Sequence, residues 1–173
     1  MRIDLQAITE ETQFSEVLEE GWWQPFPGDD RILGLDGSLQ VRVKVSKVSD
    51  KFLVQGTMSG GLRIRCDRCL EPFHKSVESQ FHVHLVVPRE GPDQEEVELL
   101  DEDLEVDFIK GNEVDLGDMV REQIYLSLPI RSICKESCRG LCPVCGVNLN
   151  ETTCLCRKTQ GHPAFSKLRL KGE

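Results

Sequence analysis

LQVRVKVSKV, residues 39–48, alternates apolar and polar side chains: Leu39, Val41, Val43 and Val45 fall on one face, Arg42 and Lys44 on the other. Successive side chains of an extended chain point to opposite sides, so a period of two reads as a strand with one buried and one wet face. Ser49-Asp50 marks a turn after it, FLVQGTM reads as the returning strand, and Gly60-Gly61 reads as a second turn into LRIRC. HKSVESQFHVHLVV, residues 74–87, extends the β-rich composition. These stretches predict a meander of antiparallel strands. Upstream, MRIDLQAI reads as a first strand and FSEVLEE as a short helix or an ordered connection.

One segment breaks the β pattern. In DLGDMVREQIYLSLP, residues 115–129, Leu116, Met119, Val120, Ile124 and Leu128 recur at three- and four-residue spacing. That is the stripe of a helix packing on a core. Asp115 suits the N-cap, Asp118 the positive helix start, and Pro129 the stop. The fold class expected is α+β: an antiparallel β-sheet meander packed with one principal helix, plus a small C-terminal cysteine-rich zinc ribbon. Residues 1–133 would form the core, with an acidic loop near 89–107 that includes an edge strand. Residues 134–173 would form a zinc-binding tail packed on it, with a short basic helix from about Pro163.

A chain of 173 residues suits one domain, or one with a small appendage. It has no long apolar run to span a membrane, and the first residues lack the basic and apolar regions of a signal peptide. The expected location is the cytoplasm, where thiols stay reduced. The net charge of −9 is unevenly spread. Residues 1–30 carry eight acids and one base, and residues 31–89 ten bases and five acids. Residues 90–118 carry thirteen acids and one base, and residues 119–173 nine bases and four acids. The basic segments hold every cysteine, so an acidic average does not exclude contact with a polyanion.

Six of the eight cysteines stand in CKESCRGLCPVCGVNLNETTCLC, residues 134–156; Cys66 and Cys69 stand upstream in CDRC. A two-residue gap lets one tight turn present two thiolates to a tetrahedral metal ion. Both Cys66-Asp67-Arg68-Cys69 and Cys142-Pro143-Val144-Cys145 have it, and Gly146 follows the second where a positive φ is useful. Thiol–disulfide catalysis places CxxC at a helix start beside a βαβ unit, and neither motif here precedes a clear helix. Metal is therefore the favoured reading, with about two zinc ions per chain. The compact division puts Cys142, Cys145, Cys154 and Cys156 around one ion and Cys66, Cys69, Cys134 and Cys138 around another. The alternative joins Cys134, Cys138, Cys142 and Cys145, leaving Cys66, Cys69, Cys154 and Cys156 as partners. The Cys-x-Cys spacing is awkward, so one of Cys154 and Cys156 could be spare, with His162 as a substitute. Arg65, Arg68, Lys135, Arg139, Arg157 and Lys158 flank the cysteines and can offset thiolate charge or meet phosphate.

The sequence holds no phosphate-binding glycine motif and no GxSxG, HExxH or DxDxDG. His82 and His84 share one strand face and read as ordinary surface residues. Four-thiolate sites leave no open position for activated water, so nothing argues for an enzyme.

CDRCLEPF (66–73), DLGDMVREQIYLSLP (115–129) with the acidic stretch before it, and CKESCRGLCPVCGVNLN (134–150) together resemble the YceD family. Those are the large ribosomal RNA subunit accumulation proteins of bacteria and plastids. The resemblance implies a role in synthesis, processing or stability of large-subunit ribosomal RNA, and carries no catalytic residue. The partners it implies are the large ribosomal subunit precursor, ribosomal RNA or a ribosomal protein, and neither DNA nor a membrane. A zinc-stabilised protein–protein adaptor and a thiol or zinc redox sensor are the competing expectations.

Overall fold

The computed structural model describes residues 2–49, 51–87, 106–109 and 111–156. The acidic stretch 88–105, His162 and the basic C-terminal segment expected to be helical lie outside these residues. Strand β1 (Arg2–Asp4) leads through a 3-10 turn to β2 (Glu11–Leu18), and β3 (Ile32–Leu35) to β4 (Leu39–Val48). Two long strands follow, β5 (Lys51–Arg65) and β6 (Pro72–Val86), and then the short β7 (Val106–Phe108) and β8 (Glu113–Asp115). Helix α1 (Leu116–Ser127) is the single α-helix among the described residues.

The main sheet has the order β2-β4-β5-β6-β7, and β3 also pairs with β5. The antiparallel core of the expected meander is present, but β7 joins β6 in parallel, so the sheet is mixed. FSEVLEE is not a helix. It belongs largely to β2, which pairs with all but the last residues of the β4 stretch, Glu11 facing Ser46 and Leu18 facing Leu39. Strand β2 lies at the sheet edge, where only Thr12, Phe14 and Leu18 turn partly inward, and such sparse burial leaves little period-two signal.

The second expected turn is also absent: β5 runs straight through Gly60 and Gly61. Its first part pairs with β4 and its last with β3, so the corner between β3 and β4 must cross beside it. A Cβ on Gly60 would stand 2.9 Å from the Ser38 carbonyl oxygen, and one on Gly61 only 2.6 Å from that of Asp36. The paired glycines thus serve close backbone approach within a strand.

The alternation in β4 sorts the faces as the sequence dictates, with Leu39, Val41, Val43 and Val45 buried. They pack with Val54, Met58, Leu62 and Ile64 of β5 and with Leu116, Val120 and Ile124 of α1. Met119 and Leu128 border the same core. The Asp115 side chain accepts the Gly117 N–H at 2.8 Å, giving the expected N-cap. The Trp23 and Tyr125 rings lie 5.8 Å apart, and the Arg121 guanidinium sits 5.6 Å from the Trp22 ring. The tryptophan pair thus packs against the helix.

Gly61→Ala is expected to cost about 1–3 kcal/mol, because backbone on one side and the His74 ring on the other must yield. Gly21 has open space around it, so Gly21→Ala is the control, within about 0.5 kcal/mol of the parent. Denaturant melts of both variants check this; equal midpoints would contradict it.

Candidate metal centres

The β5–β6 connection is a knuckle. The Arg68 N–H points at Cys66 Sγ at 3.5 Å, and the Leu70 N–H donates to the Cys66 carbonyl at 2.9 Å. The second CxxC repeats it: the Val144 N–H points at Cys142 Sγ at 3.5 Å, and the Gly146 N–H donates to the Cys142 carbonyl at 2.9 Å. Both turns end in the left-handed region, with φ of 62° at Leu70 and 72° at Gly146. Glycine adopts that φ freely, whereas a branched side chain does so under strain, so Leu70 is held there by its surroundings.

The eight sulfurs fall into two groups. Those of Cys66, Cys69, Cys134 and Cys138 lie within 4.8 Å of one another, as do those of Cys142, Cys145, Cys154 and Cys156. This is the compact division, and both members of the Cys-x-Cys pair are included. In the first group Cys66 Sγ stands 3.9 Å from Cys138 Sγ, and Cys69 Sγ 3.8 Å from Cys134 Sγ. Four sulfurs about 2.3 Å from a tetrahedral ion would stand about 3.8 Å apart, so the group has the dimensions of a metal cage. A disulfide needs about 2 Å, far less than the separations seen.

The first group is assembled from distant parts of the chain. The Asp67 carboxylate accepts the Ser132 N–H at 2.6 Å, and the Asp67 N–H donates to the Ser132 carbonyl at 2.8 Å. The Cys134 N–H points at Cys66 Sγ at 3.4 Å. Cys66, Cys69 and Cys138 are buried, and Cys134 is partly so. Residues 134–156 follow as turns closed by one antiparallel bridge, Leu141 with Asn148. The expected ribbon is reduced to that bridge.

Electrostatics divide the thiols. Burial raises the Cys66 thiol, but N–H groups of Cys69, Arg68 and Cys134 outweigh it and bring the pKa down to about 6. The Cys145 and Val144 N–H groups likewise lower Cys142 to about 6. Burial drives Cys69 up to about 12, and the neighbouring Cys145 thiol drives Cys156 up to about 12. The Asn150 amide also draws Cys138 down, so each group holds at least one thiol favoured as thiolate and others that a cation would have to deprotonate.

Two features were not anticipated from the sequence. Asn150 directs its side-chain amide at Cys138 Sγ, 3.4 Å away, a contact no spacing rule announces. On β6, His74 joins Asp36 at 2.6 Å through Nδ1 and Ser76 at 3.2 Å through Nε2. That order is the order of a hydrolytic triad, yet the His74 and Asp36 side chains are 56% and 43% exposed. Triad chemistry relies on a dry, preorganised site; here the chain of bonds fastens the β3–β4 corner to β6. His82 and His84 lie on the solvent side of β6, their rings 6.4 Å apart.

Fold and site define an α+β sheet protein with two four-cysteine clusters of a size that could hold metal ions. The chain belongs to the YceD family: the family described as "Large ribosomal RNA subunit accumulation protein YceD" matches residues 54–171, well over half its length. Two similar proteins carry the name large ribosomal RNA subunit accumulation protein YCED homolog 1, chloroplastic. The one from Arabidopsis thaliana is 29% identical over 159 residues, covering 78% of this chain and 50% of the relative. The one from Zea mays is 27% identical over 149 residues, covering 70% and 50%. An uncharacterised protein of Mycobacterium tuberculosis is 34% identical over 111 residues, covering 64% and 51%. The chain thus spans about half the length of the curated relatives it matches. No solved structure matches it.

Asp67→Ala removes a carboxylate–amide bond that joins the first knuckle to the segment leaving α1. A hydrogen bond to a carboxylate at an exposed site contributes about 1.5 kcal/mol net, so local opening should rise about tenfold. Thiol-alkylation rates at Cys134, read by peptide mass spectrometry, should rise accordingly; an unchanged rate would contradict the assigned role.

Proposed function

We propose that this chain is a non-enzymatic factor supporting synthesis, processing or stability of large-subunit ribosomal RNA, acting on the large ribosomal subunit as it assembles. Membership of the YceD family carries this reading. In it, one zinc ion joins Cys66, Cys69, Cys134 and Cys138, and a second joins Cys142, Cys145, Cys154 and Cys156. Zinc supplies a redox-inert tetrahedral crosslink, and four thiolates leave it no open coordination position. The sulfur spacing of the first group supports that geometry. The working location is the cytoplasm; among the described residues no helix is long and apolar enough to cross a membrane.

The surface favoured for contact is the outer face of the main sheet. Across β2, β4, β5 and β6 a shallow depression of about 660 Å³ is bordered by Arg42, Lys44 and His82 among Gln13, Gln55 and Gln80. No carboxylate lines it, although the chain carries thirty acids. Lys44 is engaged by Glu11 at 2.7 Å, whereas Arg42 has no ion-pair partner among the described residues. Guanidinium and amide groups suit sugar–phosphate contact, and the two phenylalanines along the depression, Phe14 and Phe81, are engaged by the core.

Few phosphate contacts set against strongly acidic segments give weak, salt-sensitive binding to bare RNA. At physiological salt the isolated protein is therefore expected to bind naked ribosomal RNA weakly and without sequence preference, and to co-sediment appreciably with large-subunit precursor particles. Arg42→Ala should reduce co-sedimentation several-fold with an unchanged unfolding midpoint. Filter binding and gradient sedimentation check both halves. Tight, sequence-specific binding to a short naked RNA, or no association with particles, would contradict the proposal.

A further inference from the structure

Asn150 belongs by sequence to the second cysteine group, between Cys145 and Cys154, yet its side chain serves the first. Its Nδ2 lies 3.4 Å from Cys138 Sγ, while its Oδ1 accepts the Arg139 N–H at 2.8 Å. Asn148 Oδ1 fixes it in turn, accepting from the Asn150 N–H at 3.0 Å and from Nδ2 at 2.9 Å. The backbone locks the same loop to the first knuckle: the Leu141 N–H donates to the Arg68 carbonyl at 3.0 Å, and the Leu149 N–H to the Gly140 carbonyl at 2.9 Å. The Arg68 guanidinium donates to the Cys138 carbonyl at 3.0 Å from the other side. Asn150 therefore reaches Cys138 from the loop that bears the second group.

We propose that Asn150 is a positioning residue that couples the two metal centres, so that metal at the Cys142 group raises the affinity of the Cys66 group. The inference rests on the metal-binding reading above. An amide N–H aimed at a thiolate stabilises its charge and fixes its direction, and removing such an outer partner typically costs 10- to 100-fold in metal affinity. Folding of the second loop around its own ion delivers that N–H. Coupling is reciprocal, so metal at the first centre strengthens the second by the same factor.

The test uses the full, reduced, metal-free chain titrated with cobalt(II), whose thiolate charge-transfer absorption reports ligation. Four proteins are compared: the parent, Asn150→Asp, the double variant Cys142→Ser/Cys145→Ser that disables the second centre, and the combination. The Asn150→Asp substitution keeps an acceptor for the Arg139 N–H but removes the donor to sulfur. Asn150→Asp and the double variant should each weaken the first centre by about 10- to 100-fold, and the combination should be no worse than the double variant. Chelator challenge of the parent, followed by alkylation and peptide mapping, should expose Cys138 and Cys145 in one kinetic phase. First-centre affinity unchanged in Asn150→Asp, additive losses in the combination, or separate release phases would each overturn the coupling. A parent protein giving no charge-transfer band at all would overturn the metal reading itself.

Discussion

The rest of the structure hangs on the meeting of Cys66 and Cys69 with Cys134 and Cys138. One pair ends a strand and the other follows the helix, with more than sixty residues between them. Closing so long a loop costs conformational entropy, and four thiols within 4.8 Å of one another offer little dispersion energy in return. Charged, they would repel one another inside a buried pocket. A divalent cation turns that repulsion into attraction, and the N–H groups aimed at Cys66 prepare one sulfur to receive it. Once the junction is made, Asp67 and Ser132 align the helix exit with the strand corner, and Arg68 supplies the edge on which the second cysteine loop docks.

The sheet beneath owes both of its faces to one alternation. Leu39, Val41, Val43 and Val45 carry the core and α1, while Arg42 and Lys44 look outward over a field of amides. The Asp36–Ser38 corner could not cross β5 without the glycines at 60 and 61. The N-terminal segment packs along the helix, Trp23 against Tyr125 and Arg121 over Trp22. A helix held by the sheet and these rings leads from its C-terminal end to the thiol junction.

Much of this was legible in the sequence because the signals are strong and local. Period-two alternation gave β4, a capped three–four stripe gave α1, and two-residue cysteine gaps gave the knuckles. Spacing left two divisions of the cysteines open, and the sulfur positions separate them in favour of the compact one. What escaped is non-local. Strand β2 is an edge strand whose Phe14, Val17 and Leu18 imitate helical spacing, yet Val17 is exposed. Gly60-Gly61 carries the composition of a turn, but its purpose is the approach of a corner more than twenty residues upstream. The parallel pairing of β7 with β6 is likewise a meeting of separate segments of the chain. Asn150 was invisible for the same reason, since its target lies in the other cysteine group.

The central claim is that two metal ions close the two cysteine groups, and native mass spectrometry of the full chain purified without added metal tests it most directly. The account predicts a folded species heavier than the bare polypeptide by two zinc ions, with all eight cysteines resisting alkylation until a chelator is added. A folded species at the bare mass, with the eight thiols alkylating freely, would contradict it.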